Sequence, residues 1–238
     1  MQQKKFECEI GGKKVEAIFS NLAEQANGSV MVRVGDSMVL VTSTMGNKER
    51  TDIDYFPLSV EYEERFYAAG QILGSRFIRR EGRPSDDAIL SGRIVDRTIR
   101  PLFNPILRKD VQVVITVLSI DQDDPDVLGV IAASLALGTS DIPWGGPVSA
   151  VRIGKKRGSD SFIVNPTYAE RNADDAELDL LVCGKDGVIT MIEVGAKEVP
   201  ESVIARAFEA AMLEIQKVET FQKQVIAEMG KPKKELKE

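Results

Sequence analysis

The chain has 238 residues, 43% of them hydrophobic and 29% charged, with 31 basic against 37 acidic side chains and a net charge of −6. That balance describes a globular protein with enough apolar material for a core and excludes a disordered chain. Histidine is absent, which excludes Ser–His and Cys–His catalysis and most zinc sites, and leaves carboxylates, Lys, Arg, hydroxyls and a hard cation as the available chemistry.

In chain order, the first 63 residues read as β-rich. Lys13–Phe19, Ser29–Val34, Met38–Met45 and Leu58–Tyr62 are short alternating or β-branched runs, punctuated by Gly11-Gly12, Asn27-Gly28, Gly35-Asp36 and Gly46-Asn47. Residues 64–83 show no period, contain Gly70, Gly74 and Gly82, and end at Pro84. A long ordered loop is expected there, and such loops are commonly functional. Ser85 is placed to cap a helix with Asp86 and Asp87 in its first turn, and Pro101 stops it. Val111–Ile120 reads as a strand and Val127–Leu137 as a buried central helix, because it is apolar nearly all round. Val148–Ile153 and Phe162–Val164 suggest one hairpin, Leu178–Cys183 and Val188–Val194 another. A long helix follows from about Glu201, its apolar face marked by Ile204, Phe208, Ala211, Met212 and Ile215, and Gly230 ends it. The mixture argues an α+β domain over residues 1–229, with 230–238 as the start of a charged linker.

The most pointed signal is compositional. Residues 76–100 hold seven arginines and no lysine, for a local charge of +3 in an acidic protein. Arg pairs two phosphate oxygens at once and stacks on bases, so a polyanion is the implied partner, RNA or DNA first. At about 100° per residue, Arg93, Arg97 and Arg100 fall within roughly 60° of one another on the helix, with Asp96 in position to relieve part of their repulsion. The preceding loop adds Arg76, Arg79, Arg80 and Arg83 around Phe77, the combination of aromatic and cations used by single-strand grooves.

Other clusters carry less. Asp121, Asp123, Asp124 and Asp126 lack the turning glycine of a calcium loop and suit a loop entering a helix. Asp174, Asp175, Glu177 and Asp179 suit a polar loop leading into a strand. Neither a Walker A sequence nor GxGxxG is present. Cys8 and Cys183, distant in sequence, read as reduced thiols. With no hydrophobic leader and no apolar run near the roughly 20 residues of a membrane span, a cytoplasmic protein without membrane contact is expected.

Residues 68–103, AAGQILGSRFIRREGRPSDDAILSGRIVDRTIRPLF, resemble the hallmark segment of the first RNase PH-like domain of bacterial polynucleotide phosphorylases, and the likeness extends over essentially the whole chain. The resemblance implies an RNase PH-like fold, similar to domain 2 of ribosomal protein S5. It also implies a second such domain in the same protein, a homotrimeric ring, and processive 3′-to-5′ phosphorolysis of mRNA to nucleoside diphosphates with Mg²⁺ and inorganic phosphate. The family's Phe-Phe-Arg-Arg constriction loop reads Phe77-Ile78-Arg79-Arg80 here, so one stacking ring is replaced. RNA contacts are implied for Phe77, Arg79, Arg80, Arg83, Arg93, Arg97 and Arg100. The catalytic set implied for the second domain is not matched. Asp124, Pro125 and Asp126 stand at its Ser-rich phosphate turn. Ala173 and Leu181 replace an aspartate and a lysine around Asp179, which is then structural. The implied role is an RNA-guiding, non-catalytic core domain that needs no cofactor of its own. The alternative is a stand-alone ring subunit like the inactive subunits of exosomes.

Overall fold

A computed structural model describes residues 3–72, 74 and 82–235. Phe77, Arg79 and Arg80, the loop residues of the implied RNA contact, lie outside the described residues, as does Arg76.

The N-terminal half builds one sheet. β1 (Gln3–Ile10) and β2 (Lys13–Ser20) form a hairpin. Its turn places Gly11 and Gly12 at φ of 57° and 78°, a conformation that only glycine adopts without strain. β3 (Gly28–Val34) and β4 (Ser37–Glu49) continue the antiparallel run. β5 (Leu58–Glu63) is parallel to β6 (Lys109–Ser119), and the sheet order is β1-β2-β3-β4-β6-β5. Parallel neighbours need a crossover. It contains a 3-10 turn at Phe66–Ala69, stopped by Gly70 at positive φ, and helix α1 (Asp86–Ile99). The long loop expected over residues 64–83 is thus interrupted by a turn whose carbonyls are satisfied from beyond it, the Gly70 N–H donating to Tyr67 at 3.0 Å and the Gln71 N–H to Phe66 at 2.9 Å. The expected cap is in place: the Ser85 hydroxyl accepts from the Ala88 N–H at 3.0 Å.

The second sheet has the order β10-β9-β7-β8, from β7 (Ser149–Lys156), β8 (Ile163–Val164), β9 (Ala176–Lys185) and β10 (Val188–Ala196). Both expected hairpins are present. The one-turn helix α3 (Tyr168–Arg171) precedes β9 and is held by a reciprocal Thr167–Glu170 cap. The long helix α4 (Glu201–Met229) packs on β7 and β9, anchored by the buried Gln222 amide, which donates to the Val148 carbonyl at 3.0 Å and the Ser149 hydroxyl at 2.8 Å.

Between these layers lies α2 (Pro125–Thr139), buried along nearly its whole length against the first sheet, α1, β7 and α4. Its small residues allow close approach. A side chain at Gly28 on β3 would put its first carbon 2.1 Å from the Ala136 carbonyl oxygen, so strand and helix backbones touch there. At the far end, the Lys233 ammonium donates to the carbonyls of Leu137, Gly138 and Ser140 at 2.7–3.0 Å. A cation thus meets the negative end of the helix dipole. The 230–235 segment is therefore packed on the domain at least as far as Lys234, whose ammonium pairs with Asp141.

β1 was not among the sequence expectations. Its apolar residues Phe6, Cys8 and Ile10 alternate with Lys5, Glu7 and Glu9, and β2 supplies the pairing that makes the strand.

Candidate nucleic-acid interface and an occupied anion site

Helix α1 presents its arginines in three different states. Arg100, at the C-cap, is built into the fold. It forks onto Asp96 at 3.0 and 2.6 Å and also reaches the carbonyl oxygens of Leu58 at 3.1 Å and Phe56 at 3.4 Å. Arg97 is 55% exposed and stands 3.4 Å from Glu193 on β10. Arg93 is exposed one turn earlier. The spacing places the three toward one face, but Asp96 and the β5 carbonyls hold Arg100, and Arg97 faces Glu193, leaving both Arg93 and Arg97 at the surface. Arg83 is exposed just ahead of the Ser85 cap, beside a cleft of about 550 Å³ that also meets Glu64, Phe66 and Ile120.

A second constellation surrounds the N-terminus of α2. A helix start carries free N–H groups and partial positive charge, the natural seat of an anion. Here the chain supplies its own. Asp124 is the N-cap, its carboxylate accepting from the Asp126 N–H at 2.9 Å. The same carboxylate pairs with Arg171 from α3 and lies 3.4 Å from Arg152 on β7. Arg152, only 7% exposed, also pairs with Asp179 on β9 at 3.0 Å and sits 3.5 Å from Asp126. Arg171 closes the ring onto Asp179 at 3.0 Å. Two guanidiniums thus face three carboxylates.

The electrostatics follow from that crowding. Burial first, then the neighbouring Asp124 charge, push the Asp126 carboxyl well above the usual carboxylate range, against a Ser91 hydrogen bond and the two arginines. Burial opposes the charge on Arg152, but Asp124 and Asp179 outweigh it and hold the guanidinium more firmly charged. The network walls a cleft of about 530 Å³ whose rim adds Glu64, Asp87 and Glu193. A phosphate entering it would meet like charge. At about 4 Å and an effective dielectric near 20, each carboxylate opposes an anion by roughly 4 kcal/mol. The donors suit Mg²⁺ no better, since Asp124 and Asp179 are each engaged by both guanidiniums. Among the described residues no trio of carboxylates or thiols converges as a metal requires.

Asp124, Asp126 and Asp179 are recognisable in the sequence, but that Arg152 and Arg171 are their partners is not. Arg152 carried a usable signal: a lone charge inside the apolar run Val148–Ile153 must find buried carboxylates. Arg171 carried none.

This arrangement, two sheets enclosing a buried helix whose start faces a polar cleft, is the RNase PH-type α+β fold. It is shared at low identity with a chain of the Archaeoglobus fulgidus exosome with RNA bound to the active site, at a TM-score of 0.64 and 19% identity over 91% of this chain and 86% of that one. Rice Rrp46 matches at a TM-score of 0.68 and 12% identity, covering 94% of each chain. Residues 11–143 match domain 1 of the 3′ exoribonuclease family and residues 146–213 match domain 2, and the chain belongs to that family. The polyribonucleotide nucleotidyltransferases of Heliobacterium modesticaldum and Shouchella clausii are each 47% identical to it, over 97% and 99% of this chain. In both cases the match spans 32% of the relative, so the chain corresponds to about a third of those proteins.

Proposed function

We propose that this chain is the RNA-guiding, catalytically degenerate first core domain of a phosphorolytic 3′-to-5′ exoribonuclease that converts mRNA to nucleoside diphosphates. The observation that carries the degeneracy is Asp124. It occupies the anion position at the start of α2 and neutralises the two guanidiniums that would otherwise receive inorganic phosphate. Asp179 is engaged by Arg152 and Arg171 and is structural in this reading. Phosphate and Mg²⁺ act in the second RNase PH-like domain of the whole protein, a cytoplasmic homotrimer.

The guiding role rests on charge and exposure. Arg93 is exposed on α1, Arg97 is exposed beside Glu193 at 3.4 Å, a pair at the surface that an incoming phosphate can exchange, and Arg83 is exposed ahead of the helix. With Arg79, Arg80 and Phe77 of the loop they supply cations and a ring for a single strand, without a means of reading sequence. Arg100 contributes mainly by fixing α1 to β5. Held this way, the strand's 3′ end is delivered to chemistry performed elsewhere, where small displacements of a reacting group are costly.

The test is binding of fluorescein-labelled oligo(A) by anisotropy across a salt series. Weak, salt-sensitive, sequence-tolerant binding is expected. Reversing the charges of Arg79 and Arg80 together should flatten the log K against log[salt] slope by about 1.4, two contacts at about 0.7 each. An unchanged slope would remove those side chains from the RNA path.

A further inference from the structure

The stretch after α4 carries three lysines, Lys231, Lys233 and Lys234, in an exposed segment outside any helix or strand. It is nonetheless tied to the end of α2 and the turn that follows. The Lys231 N–H donates to the Thr139 carbonyl at 3.0 Å and the Lys234 N–H to the Asp141 carbonyl at 2.8 Å. The Lys231 ammonium reaches the Asn27 carbonyl at 2.8 Å, and the Lys234 ammonium pairs with the Asp141 carboxylate at 2.9 Å. The Asn27 amide donates to the same carboxylate at 2.7 Å.

Lys233 differs from its two neighbours in kind. An ammonium has three donors, and Lys233 places all three on α2 and its cap, at the carbonyls of Leu137, Gly138 and Ser140. Burial pushes its pKa down from the ordinary lysine range to about 8, against the smaller pull of Asp141. At pH 8 about half of such an amine is neutral, against roughly one in 250 for a lysine at about 10.4. The neutral, desolvated amine is the nucleophilic form. A phosphate leaving group suits this setting, because the Lys231 ammonium two residues away meets only a neutral carbonyl.

We propose that Lys233 is a modification site that takes an acyl group from an acyl phosphate, and that its acylation releases residues 231–234 from α2. The amine attacks the acyl carbon, phosphate leaves with the electrons of the carbon–oxygen bond, and the nitrogen gives one proton to solvent. Acylation removes the charge and leaves one N–H where three had served. Two of the three carbonyls at the end of α2 then lose their partner, and the acyl group has to fit where an ammonium lay against them. Freeing the segment also opens the groove of about 920 Å³ that Thr139, Met229 and Lys231 line with Lys4 and Phe19. This goes beyond RNA guidance and stands whether or not the chain binds RNA.

The test is internal competition in the unaltered chain, incubated with acetyl phosphate at pH 8 and cleaved after glutamate. Cleavage after Glu228 and Glu235 places all three lysines in one peptide, in which mass spectrometry locates the acetyl group. Lys233 should be acetylated at about ten times the initial rate of Lys231 or Lys234. Amide exchange supplies the second readout. The Lys231 and Lys234 amides should be protected in the parent chain and in Lys233→Arg, and should lose that protection when acetyl-lysine is installed at 233 during synthesis. Equal or faster acetylation of either neighbour would overturn the assignment of the site. Unchanged protection in the 233-acetylated chain would overturn the release.

Discussion

Replacing Asp124 with serine asks whether the start of α2 is an anion site filled by its own side chain. Serine keeps the N-cap, since its hydroxyl can accept from the Asp126 N–H as the carboxylate does now. What is lost is the charge that Arg171 and Arg152 share. Arg152 retains Asp179 at 3.0 Å and Asp126 at 3.5 Å, and Arg171 retains Asp179 at 3.0 Å, so neither guanidinium is orphaned. Breaking a buried pair outright costs about 3–5 kcal/mol, and partial compensation should bring Asp124→Ser to about 2–3 kcal/mol in chloride buffer. The variant then exposes two cations and a helix N-terminus with nothing seated there. Inorganic phosphate should restore stability, by about 2.7 kcal/mol at 100 times its dissociation constant. The assay is urea unfolding in phosphate against chloride at matched ionic strength, with the unsubstituted chain alongside. Phosphate should stabilise the variant selectively. Equal stabilisation of both proteins, or of neither, would refute the claim that Asp124 stands in for the anion.

Asp126 gives a pH signature with an unusual sign. Its folded pKa is raised to about 6 from 3.8, by burial and then by Asp124, so the native state holds the proton where the unfolded chain has released it. Its contribution is favourable at low pH and is lost as pH rises through about 4 to 6, a swing on the order of 3 kcal/mol. Asp126→Asn should therefore be more stable than the parent above pH 6 and level with it near pH 4, read as the difference between urea midpoints at pH 4, 5, 6 and 7.5. A difference that does not change with pH would mean the carboxyl is not buried as described. The two ends of the arginine face should also separate in thermal unfolding. Arg100→Ala strips partners from the Leu58 carbonyl and Asp96 and should cost about 1–3 kcal/mol, whereas Arg93→Ala should fall within about 0.5 kcal/mol. Similar losses at both positions would deny Arg100 its distinct structural role.

Where local chemistry suffices, the chain announces its own structure. The Ser85 cap, the all-round apolar α2 and the Lys185-Asp186-Gly187 hairpin are each legible from a few adjacent residues, and each is present. β1 escaped because its pattern is half polar and becomes a strand only by pairing with β2. The network at α2 escaped for a different reason. Arg171 meets Asp124 across 47 residues and Arg152 meets Asp179 across 27, distances over which periodicity carries no information. Asp124 could be recognised as a capping aspartate, but not as the occupant of an anion site, until β7 and α3 had delivered their arginines. The arginine face shows the same limit in reverse. Helical spacing aligns Arg93, Arg97 and Arg100, and only the position of β5 assigns Arg100 to the scaffold.

The most direct measurement is phosphorolysis itself. The purified chain, incubated with oligo(A), Mg²⁺ and inorganic phosphate beside the polyribonucleotide nucleotidyltransferase of a relative such as Heliobacterium modesticaldum as control, should bind the oligonucleotide yet release no nucleoside diphosphate. Diphosphate release that co-purifies with the chain through successive columns, and is lost on substitution of Asp179, would show a working active site at the start of α2 and contradict the role given to Asp124.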